Sequence, residues 1–488
     1  MKDQKQVLEN TIKRCREKNI ILPTYAQMRD PGLVPQGIKD ELSKIGLWDI
    51  HPRNLFRITW KNEPTKQGGR FGGVNYVELP SSLTGVKARI FVMTGKYFPT
   101  GAHKVGACFG PLVEKLINGT FDPTTQKALW PSTGNYCRGG AFNSRLLDCG
   151  AIAVLPEGMS KERFEWLKVC GSEIHATHGV ESNVKEVYDK TAELKRTRPD
   201  EVVVLNQFEE FGNPAWHYAV TGPAMEEIFN NNKKEGSRFA GVFLTQGSAG
   251  TLGSTEYLRE LHPNMKVGAG EALQCPTLLW NGFGGHRIEG IGDKHVPWIH
   301  NMKNMDCVGS IDDDHCMRMI RLFNEPAGKA YLKKMGVDPQ VVEKLDLLGI
   351  SSAANVLGLI KMAKYWEMTE KDCLFTVSTD SMEMYGSRLE ELNAEHGPYT
   401  ELRAAADFDR CLLGQEVDHL LELSYWDRRR MHNLKYFTWI EQLGKTVEEL
   451  DAQWYDDNYW HDRLNIWKAW DKQIEEFNEK TGLLKNYK

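Results

Sequence analysis

The chain has 488 residues, 61 basic and 66 acidic side chains and a hydrophobic fraction of 41%, a composition typical of globular proteins. Its net charge of −5 gives no reason to expect a nucleic-acid partner or a charged membrane surface, and its length predicts two or three domains. No stretch approaches 18 unbroken apolar residues, residues 1–16 lack the apolar centre of a secretory signal, and the ten scattered cysteines include no Cys-x-x-Cys pair. We therefore expect a cytoplasmic protein with reduced thiols and no membrane partner.

Residues 1–80 are predicted to form an N-terminal extension with helices near 4–16 and 37–45. From residue 86 onward, short apolar runs alternate with helical ones, which predicts parallel sheets covered by helices. The predicted strands are 86–93, 128–130, 151–155, 173–177, 202–205, 241–245, 265–269, 307–311 and 374–378. The predicted helices between them are 103–117, 136–149, 161–169, 184–194, 214–230, 250–261, 313–323, 353–365 and 382–392. After residue 393 we expect no further strands, only a charged, tryptophan-rich helical extension that ends at 488.

Lys104 lies where a predicted strand gives way to a helix, in the sequence Tyr-Phe-Pro-Thr-Gly-Ala-His-Lys (97–104). A helix N-terminus and loss of water both disfavour the charged amine. An uncharged lysine amine can bind a carbonyl compound covalently. Taken alone, such a lysine is more often a solvated cation at a helix start.

Ser132-Thr133-Gly134-Asn135 also joins a predicted strand to a helix. Hydroxyl and backbone N–H groups at a helix N-terminus form an anion site suited to a carboxylate. A plain helix cap is the alternative, because Ser, Thr and Asn favour that position.

Gly247-Ser248-Ala249-Gly250-Thr251 follows a third predicted strand and opens a helix. Small residues there let backbone N–H groups close on a phosphate. The stretch is not a nucleoside-triphosphate loop, since no Gly-Lys-Ser/Thr follows, and its glycine spacing does not fit a dinucleotide site. A phosphate site for a small phosphorylated cofactor is the interpretation that remains.

Thr379-Asp380-Ser381 follows the last predicted strand, where strand ends of an open α/β sheet face the ligand crevice. By itself this stretch is more typical of a helix cap.

Together these stretches resemble the fold-type II family of pyridoxal-phosphate enzymes, which includes cysteine synthase and cystathionine β-synthase. The segment Thr-Gly-Ala-His-Lys (100–104) is more similar to that of the tryptophan synthase β subunit. Five further stretches support the resemblance, in order along the chain: Pro-Glu-Gly-Met-Ser-Lys-Glu-Arg at 156–163, Gln-Phe at 207–208 with Asn-Pro at 213–214 and Thr-Gly-Pro at 221–223, Glu-Gly-Ile-Gly at 289–292, Gly-Ile-Ser-Ser-Ala-Ala at 349–354 and Thr-Asp-Ser at 379–381.

The resemblance implies two parallel-sheet α/β lobes with pyridoxal 5'-phosphate in the cleft between them. The large cofactor-binding lobe would comprise residues 81–107 and 213–392, and the small lobe residues 108–212. Residues 1–80 and 393–488 would be extensions outside the common core.

The resemblance also implies roles for single residues. Lys104 would hold the cofactor and act in catalysis. Asn135 would bind the ring oxygen, Ser381 would meet the pyridine nitrogen and Gly290 would lie over the ring. The cofactor phosphate would be held by Gly247, Ser248, Ala249, Gly250 and Thr251. The substrate carboxylate would be bound by Ser132, Thr133, Gly134 and Gln207.

Two of these positions leave alternatives open. Arg138 stands where sulfide-using relatives carry small apolar residues, so we expect it to bind an anionic group of the substrate; an arginine facing outward from the helix is the alternative. Asp380 could replace Ser381 at the ring nitrogen, and strand alternation predicts that only one of them faces the cleft.

The implied activity is β-elimination or β-replacement on an amino acid through an aminoacrylate, as in cysteine synthase. A dehydratase or ammonia-lyase would use the same residues, and a catalytically silent, cofactor-binding regulatory subunit is a third hypothesis. We expect a homodimer with an amino-acid substrate. We predict no metal site, because the acidic cluster at 312–316 is more typical of a helix start.

Overall fold

The computed structural model describes residues 3–65, 69–132, 134–180, 184–292 and 294–487. Across this part of the chain, eleven strands form two separate sheets. The strands are β1 (Tyr76–Leu79), β2 (Arg89–Thr94), β3 (Lys127–Pro131), β4 (Gly150–Pro156), β5 (Glu173–Thr177), β6 (Val202–Val204), β7 (Arg238–Thr245), β8 (Lys266–Ala272), β9 (Cys307–Ile311), β10 (Asp372–Ser378) and β11 (Leu420–Glu422).

The larger sheet has seven strands in the order β1-β2-β10-β7-β8-β9-β11. Its five central strands are parallel, and the short edge strands β1 and β11 pair antiparallel to their neighbours. The smaller sheet has four parallel strands in the order β5-β4-β3-β6. The expectation of parallel sheets is therefore confirmed.

Helices cover these sheets and make up both ends of the chain. They are α1 (Gln4–Glu17), α2 (Tyr25–Arg29), α3 (Gln36–Leu42), α4 (Ser81–Thr84), α5 (Lys104–Ile117), α6 (Asn135–Leu146), α7 (Lys161–Val169), α8 (Val184–Thr197), α9 (Gly212–Trp216), α10 (Gly222–Asn232), α11 (Gly253–Leu261), α12 (Thr277–Trp280), α13 (Asp313–Asn324), α14 (Pro326–Lys334), α15 (Pro339–Glu343), α16 (Ile350–Tyr365), α17 (Gly386–His396), α18 (Glu401–Asp407), α19 (Tyr425–Asn433), α20 (Val447–Tyr455), α21 (Tyr459–Asn465) and α22 (Trp467–Thr481). Within these described segments, no helix combines the length and apolarity needed to cross a bilayer.

The prediction that strands stop after residue 393 is wrong at one place. Strand β11 extends the large sheet by pairing Leu421 with Val308 of β9. Three residues are too few to show the period-two pattern of a strand, so only the pairing reveals it.

The predicted helix start at the acidic cluster is confirmed, since the Asp312 side chain accepts a hydrogen bond from Asp314 N and caps α13. The lobe boundaries stay a prediction, because a sheet defines its strands and not the limits of a domain.

Four connections bring the predicted site residues to the carboxyl ends of parallel strands. Lys104 follows β2, Asn135 follows β3, Gly247 follows β7 and Ser381 follows β10. Strands β2, β7 and β10 belong to the large sheet and β3 to the small one. Parallel strands end at the same edge of their sheet, and ligands of α/β proteins bind at that edge.

Candidate active site

Lys104 is the first residue of α5, as predicted, and the turn before it is tight. Thr100 and Gly101 both take left-handed backbone conformations, with φ of +71° and +69°. The Lys104 Nζ atom lies 3.4 Å from Gln207 Oε1 and 3.3 Å from Ser248 Oγ. The amine therefore sits between a residue predicted to bind the carboxylate and one predicted to bind the phosphate.

The predicted carboxylate subsite is held together by its own hydrogen bonds. The Ser132 hydroxyl accepts from Gln207 Nε2 at 3.1 Å and from Gly134 N at 3.3 Å. A side chain at Gly134 would meet the Arg163 guanidinium, since a Cβ there would lie 2.0 Å from Nη1. Thr133 lies outside the described residues. Ser132, Gly134 and Gln207 are thus close together, and their substrate role stays a prediction.

The loop at 247–251 has the shape that a phosphate site needs. Ala249 is left-handed at φ +63°, and a Cβ at Gly250 would lie 2.0 Å from Asn213 Oδ1, so no larger residue fits there. Asn213 also donates to the Ser248 hydroxyl at 3.1 Å and to the Gln207 carbonyl at 3.0 Å. No acceptor within the described residues takes the N–H groups of Gly247, Ser248 or Ala249. Small residues with spare backbone donors match the chemistry of a phosphate group. Thr251 lies in the short helical turn Gly250–Leu252 that follows.

Asn135 is joined across the cleft to the end of β10. Its Nδ2 donates to Asp380 Oδ2 at 2.6 Å, and the Tyr385 hydroxyl donates to the same oxygen at 2.7 Å. Arg163 Nη2 donates in turn to the Tyr385 oxygen at 3.1 Å. Burial raises the pKa of Asp380, while the charge of Arg163 opposes that rise. This polar network is buried, with Asp380 0% and Asn135 4% exposed.

The strand-alternation argument for choosing between Asp380 and Ser381 is wrong. Strand β10 ends at Ser378, so neither residue lies on a strand, and both side chains are buried. Asp380 directs Oδ2 toward Asn135, and its Oδ1 lies 2.1 Å from where a Cβ of Gly349 would be.

Arg138 does not face outward, so that alternative is wrong. Its side chain is 0% exposed, with Nη1 donating to Asn135 Oδ1 at 3.3 Å and Nη2 donating to the Thr100 carbonyl at 2.8 Å. Burial and the neighbouring Arg163 lower its pKa to about 10. Arg138 is not among the described residues that line the pocket beside Lys104. Its contact with the substrate therefore stays a prediction.

A narrow pocket opens at the junction of these groups, and Gly290 is one of its lining residues. The position of Gly290 over the cofactor ring stays a prediction. The lining residues are Lys104, Ser132, Asn135, Tyr136, Val184, Gln207, Phe208, Gly247, Ser248, Gly290, Ile291 and Gly292. Sequence reasoning missed Val184, Phe208, Ile291 and Gly292 as lining residues, and Tyr385 as a partner of Asp380. Phe208, Ile291 and Gly292 carried a signal, since they lie in motifs of the resemblance.

His103 lies behind Lys104 in a dry, aromatic environment. Its ring packs edge-on against His217 with centroids 5.1 Å apart, and its Nε2 lies 3.2 Å from Thr379 Oγ1. Burial and the charge of Lys104 lower the pKa of His103 to about 3. The ring is therefore neutral at physiological pH, and it adds no charge beside the amine.

A family model described as pyridoxal-phosphate dependent enzyme matches residues 70–332. The chain belongs to this family. It is an enzyme that acts on amino acids and uses pyridoxal 5'-phosphate, and the loop at 247–251 and the amine of Lys104 fit that cofactor.

Individual relatives agree with the family. The chain is 28% identical over 315 residues to cysteine synthase of Staphylococcus aureus (strain N315), covering 64% of this chain and 93% of the relative. It is 27% identical over 332 residues to cysteine synthase 3 of Caenorhabditis elegans, covering 67% and 91%.

Solved structures agree in fold. A hydrogen sulfide-producing enzyme from Fusobacterium nucleatum superposes with a TM-score of 0.53 at 25% identity, covering 64% of this chain and 95% of that chain. O-acetyl serine sulfhydrylase isoform 3 from Entamoeba histolytica gives a TM-score of 0.56 at 23% identity, covering 70% and 94%. The fold is therefore that of fold-type II enzymes, with a helical C-terminal extension added.

Proposed function

We propose that this enzyme catalyses β-replacement or β-elimination on an amino acid that carries a leaving group on its β-carbon. One observation carries the proposal: the Lys104 amine lies within 3.4 Å of both Gln207 and Ser248. It therefore stands between the proposed carboxylate and phosphate subsites. The similarity to cysteine synthases supports the same class of reaction.

The proposed roles follow from the positions of the residues. Ser132, Gly134 and Gln207 bind the substrate carboxylate and so orient the α-carbon toward Lys104. The bound cofactor supplies an electron sink for the α-carbon. Lys104 would hold the cofactor through its amine and, once that amine is free, would accept the proton from the substrate α-carbon. The β-substituent then leaves with its bonding electrons. Either a nucleophile adds, or water releases a keto acid and ammonia.

Ser381 is proposed to meet the pyridine nitrogen. Asp380 Oδ2 is engaged with Asn135 and Tyr385, so that oxygen is not available to the ring, which supports this assignment. A hydroxyl leaves the ring nitrogen unprotonated, which weakens the electron sink and favours reactions in which proton loss is coupled to departure of the β-substituent.

Borohydride treatment of the holoenzyme, followed by peptide mapping, should place the pyridoxyl label on Lys104. The Lys104→Ala variant should lose turnover, whereas Lys115→Ala, eleven residues along the same helix, should keep it. A label on another lysine would refute the proposed site.

Product analysis then identifies the reaction. O-acetylserine, serine, cysteine and threonine should be supplied with and without sulfide. A new amino acid indicates replacement, and pyruvate or 2-oxobutyrate indicates elimination. Bound cofactor without any turnover would contradict the proposal and favour a regulatory subunit.

We also propose a cytoplasmic homodimer. All ten cysteines are buried and form no disulfide within the described residues, which supports a reducing compartment. Light scattering on the purified protein should give twice the chain mass of 55.6 kDa, and a monomer mass would reject the dimer.

A further inference from the structure

The Asn135 amide is held at both ends by groups of opposite hydrogen-bonding character. Arg138 Nη1 donates to Oδ1 at 3.3 Å, and Asp380 Oδ2 accepts from Nδ2 at 2.6 Å. A guanidinium can only donate, and an ionised carboxylate can only accept. Rotating the amide by half a turn would set its N–H groups against Arg138 and its oxygen against Asp380. The orientation is therefore determined by chemistry as well as by the fit of the atoms.

Both holding groups are themselves anchored away from the pocket. Arg138 Nη2 donates to the Thr100 carbonyl, four residues before Lys104. Asp380 Oδ2 also accepts from the Tyr385 hydroxyl, whose oxygen accepts from Arg163. Arg138 and Asp380 are 0% exposed, so water does not compete for their hydrogen bonds to Asn135.

One N–H of the Asn135 amide remains after the bond to Asp380, because an amide nitrogen carries two hydrogens. Asn135 lines the pocket beside Lys104. The second hydrogen is therefore available to a ligand on the pocket side.

We propose that Arg138 and Asp380 are positioning residues that hold this second N–H of Asn135 toward the ring oxygen of the cofactor. The inference rests on the proposed role of Asn135. It gives Arg138 a function other than binding the substrate. It also links that function to the turn that carries Lys104, through the Thr100 carbonyl.

The test is a double-mutant cycle on cofactor affinity, measured by titrating apoenzyme with pyridoxal 5'-phosphate. Arg138→Met, which keeps an unbranched apolar stem and removes the donors, should weaken affinity by about tenfold, within the range of coupled neighbours. In an Asn135→Ala background the same change should alter affinity by less than about twofold. Equal losses in both backgrounds would overturn the inference, since they would show that Arg138 supports only the fold.

The absorption spectrum of the bound cofactor is the second measurement. Arg138→Met and Asp380→Leu should both displace the visible band in the direction that Asn135→Ala displaces it. Asp380→Asn retains an acceptor for Asn135 and should restore most of the normal spectrum. An unchanged band in Arg138→Met and Asp380→Leu, with a displaced band in Asn135→Ala, would refute the positioning role.

Arg57→Met is the matched control for removing a buried arginine. Arg57 is 2% exposed, and its guanidinium donates to the carbonyls of Leu42, Ile45 and Gly69 and to Asn54 Oδ1, none of which belongs to a residue that lines the pocket. Loss of Arg57 should lower the urea midpoint of unfolding and leave the cofactor spectrum unchanged.

If Arg138→Met does not fold, Arg138→Lys, which keeps the charge without the planar fork, serves in the same cycle. An Asn135→Ala variant with normal affinity and spectrum would instead reject the role of Asn135 itself.

Discussion

Two fully buried cations in this enzyme, Arg138 and Lys435, use their donors in different ways. Arg138 uses one donor on a backbone carbonyl and another on Asn135, a side chain that lines the pocket. Lys435, in the C-terminal extension, donates to the carbonyls of Trp298 and His300 at 3.0 and 2.7 Å and to Gln453 Oε1 at 2.6 Å. An ammonium has three donors, so those of Lys435 are all used within the protein.

The electrostatic settings differ too. Arg138 lies near Asp380, whose charge opposes the fall in the pKa of Arg138. Burial alone lowers the pKa of Lys435, and across the described ranges no carboxylate forms an ion pair with it. Lys435 thus stabilises the contact between the C-terminal extension and residues 298–300 through backbone oxygens. Arg138 instead orients Asn135, which lines the pocket.

The contact between the extension and residues 298–300 nevertheless extends to the wall of the pocket. Trp439 Nε1 donates to the Val296 carbonyl at 2.8 Å, and Ile299 N donates to the Phe208 carbonyl at 3.3 Å. A hydrophobic cluster unites residues of the pocket lining with the extension: Val184, Phe208, Trp298, Trp439 and Leu450. The extension therefore supports one wall of the pocket from behind.

The largest effect is expected for Lys435→Met. The His300 carbonyl and Gln453 Oε1 would lose this donor, at about 1–3 kcal/mol each, whereas the Trp298 carbonyl would still accept from Gln453 Nε2. The loss is partly offset because a charge is no longer buried. We expect the free energy of unfolding to fall by about 2–4 kcal/mol in urea titration. The cofactor spectrum should stay unchanged, in contrast to Arg138→Met. The exposed Lys468→Met is the control, and a spectral change in Lys435→Met would remove the distinction between the two cations.

A smaller effect is expected for Trp439→Phe. This change removes the hydrogen bond to Val296 and some buried volume, which together cost about 1–2 kcal/mol. Hydrogen exchange should become faster at residues 296–300 and at Phe208, because the wall loses its support. Trp426→Phe, at a side chain 75% exposed in the same extension, is the matched control. Unchanged exchange at Phe208 would show that the extension does not support the wall.

The smallest effect concerns a buried carboxyl group, Glu271, near the contact between the large sheet and the C-terminal extension. Glu271 accepts from the N–H groups of Leu278 and Leu279 at the start of α12, and Arg430 of the extension donates to the Leu278 carbonyl. Burial raises the pKa of Glu271 from 4.5 to about 7. The folded state then keeps a proton that the unfolded state releases, so stability falls as pH rises through this interval.

Between pH 6 and 7 the loss expected from Glu271 is less than about 1 kcal/mol, and Glu271→Gln should reduce the slope by that amount. Part of the slope should remain, because burial also raises the pKa of Glu210 and Glu256 to about 7. Urea titrations at several pH values measure the slope. Glu448→Gln, at an exposed site, should keep the wild-type slope. An identical slope in Glu271→Gln would show that another group titrates.

The sequence by itself determined the local features of the site. A strand, a turn and a helix around Lys104, and small residues at 247–251, are properties of neighbouring residues, since backbone preference and the period of burial act over a few positions. The parallel sheets follow from the same signals, because alternating strands and helices can pair in few ways. The family was predicted from the resemblance of several short motifs that occur in order along the chain.

Only the tertiary structure decided what the buried charges do. Asn135 and Asp380 are 245 positions apart, and Lys435 and Trp298 are 137 apart. No local pattern encodes such contacts, because a buried arginine and an exposed one are both compatible with the same helix. The arrangement depends on how the two sheets and the extension pack, and packing brought Asp380 to Asn135 and β11 to the edge of β9.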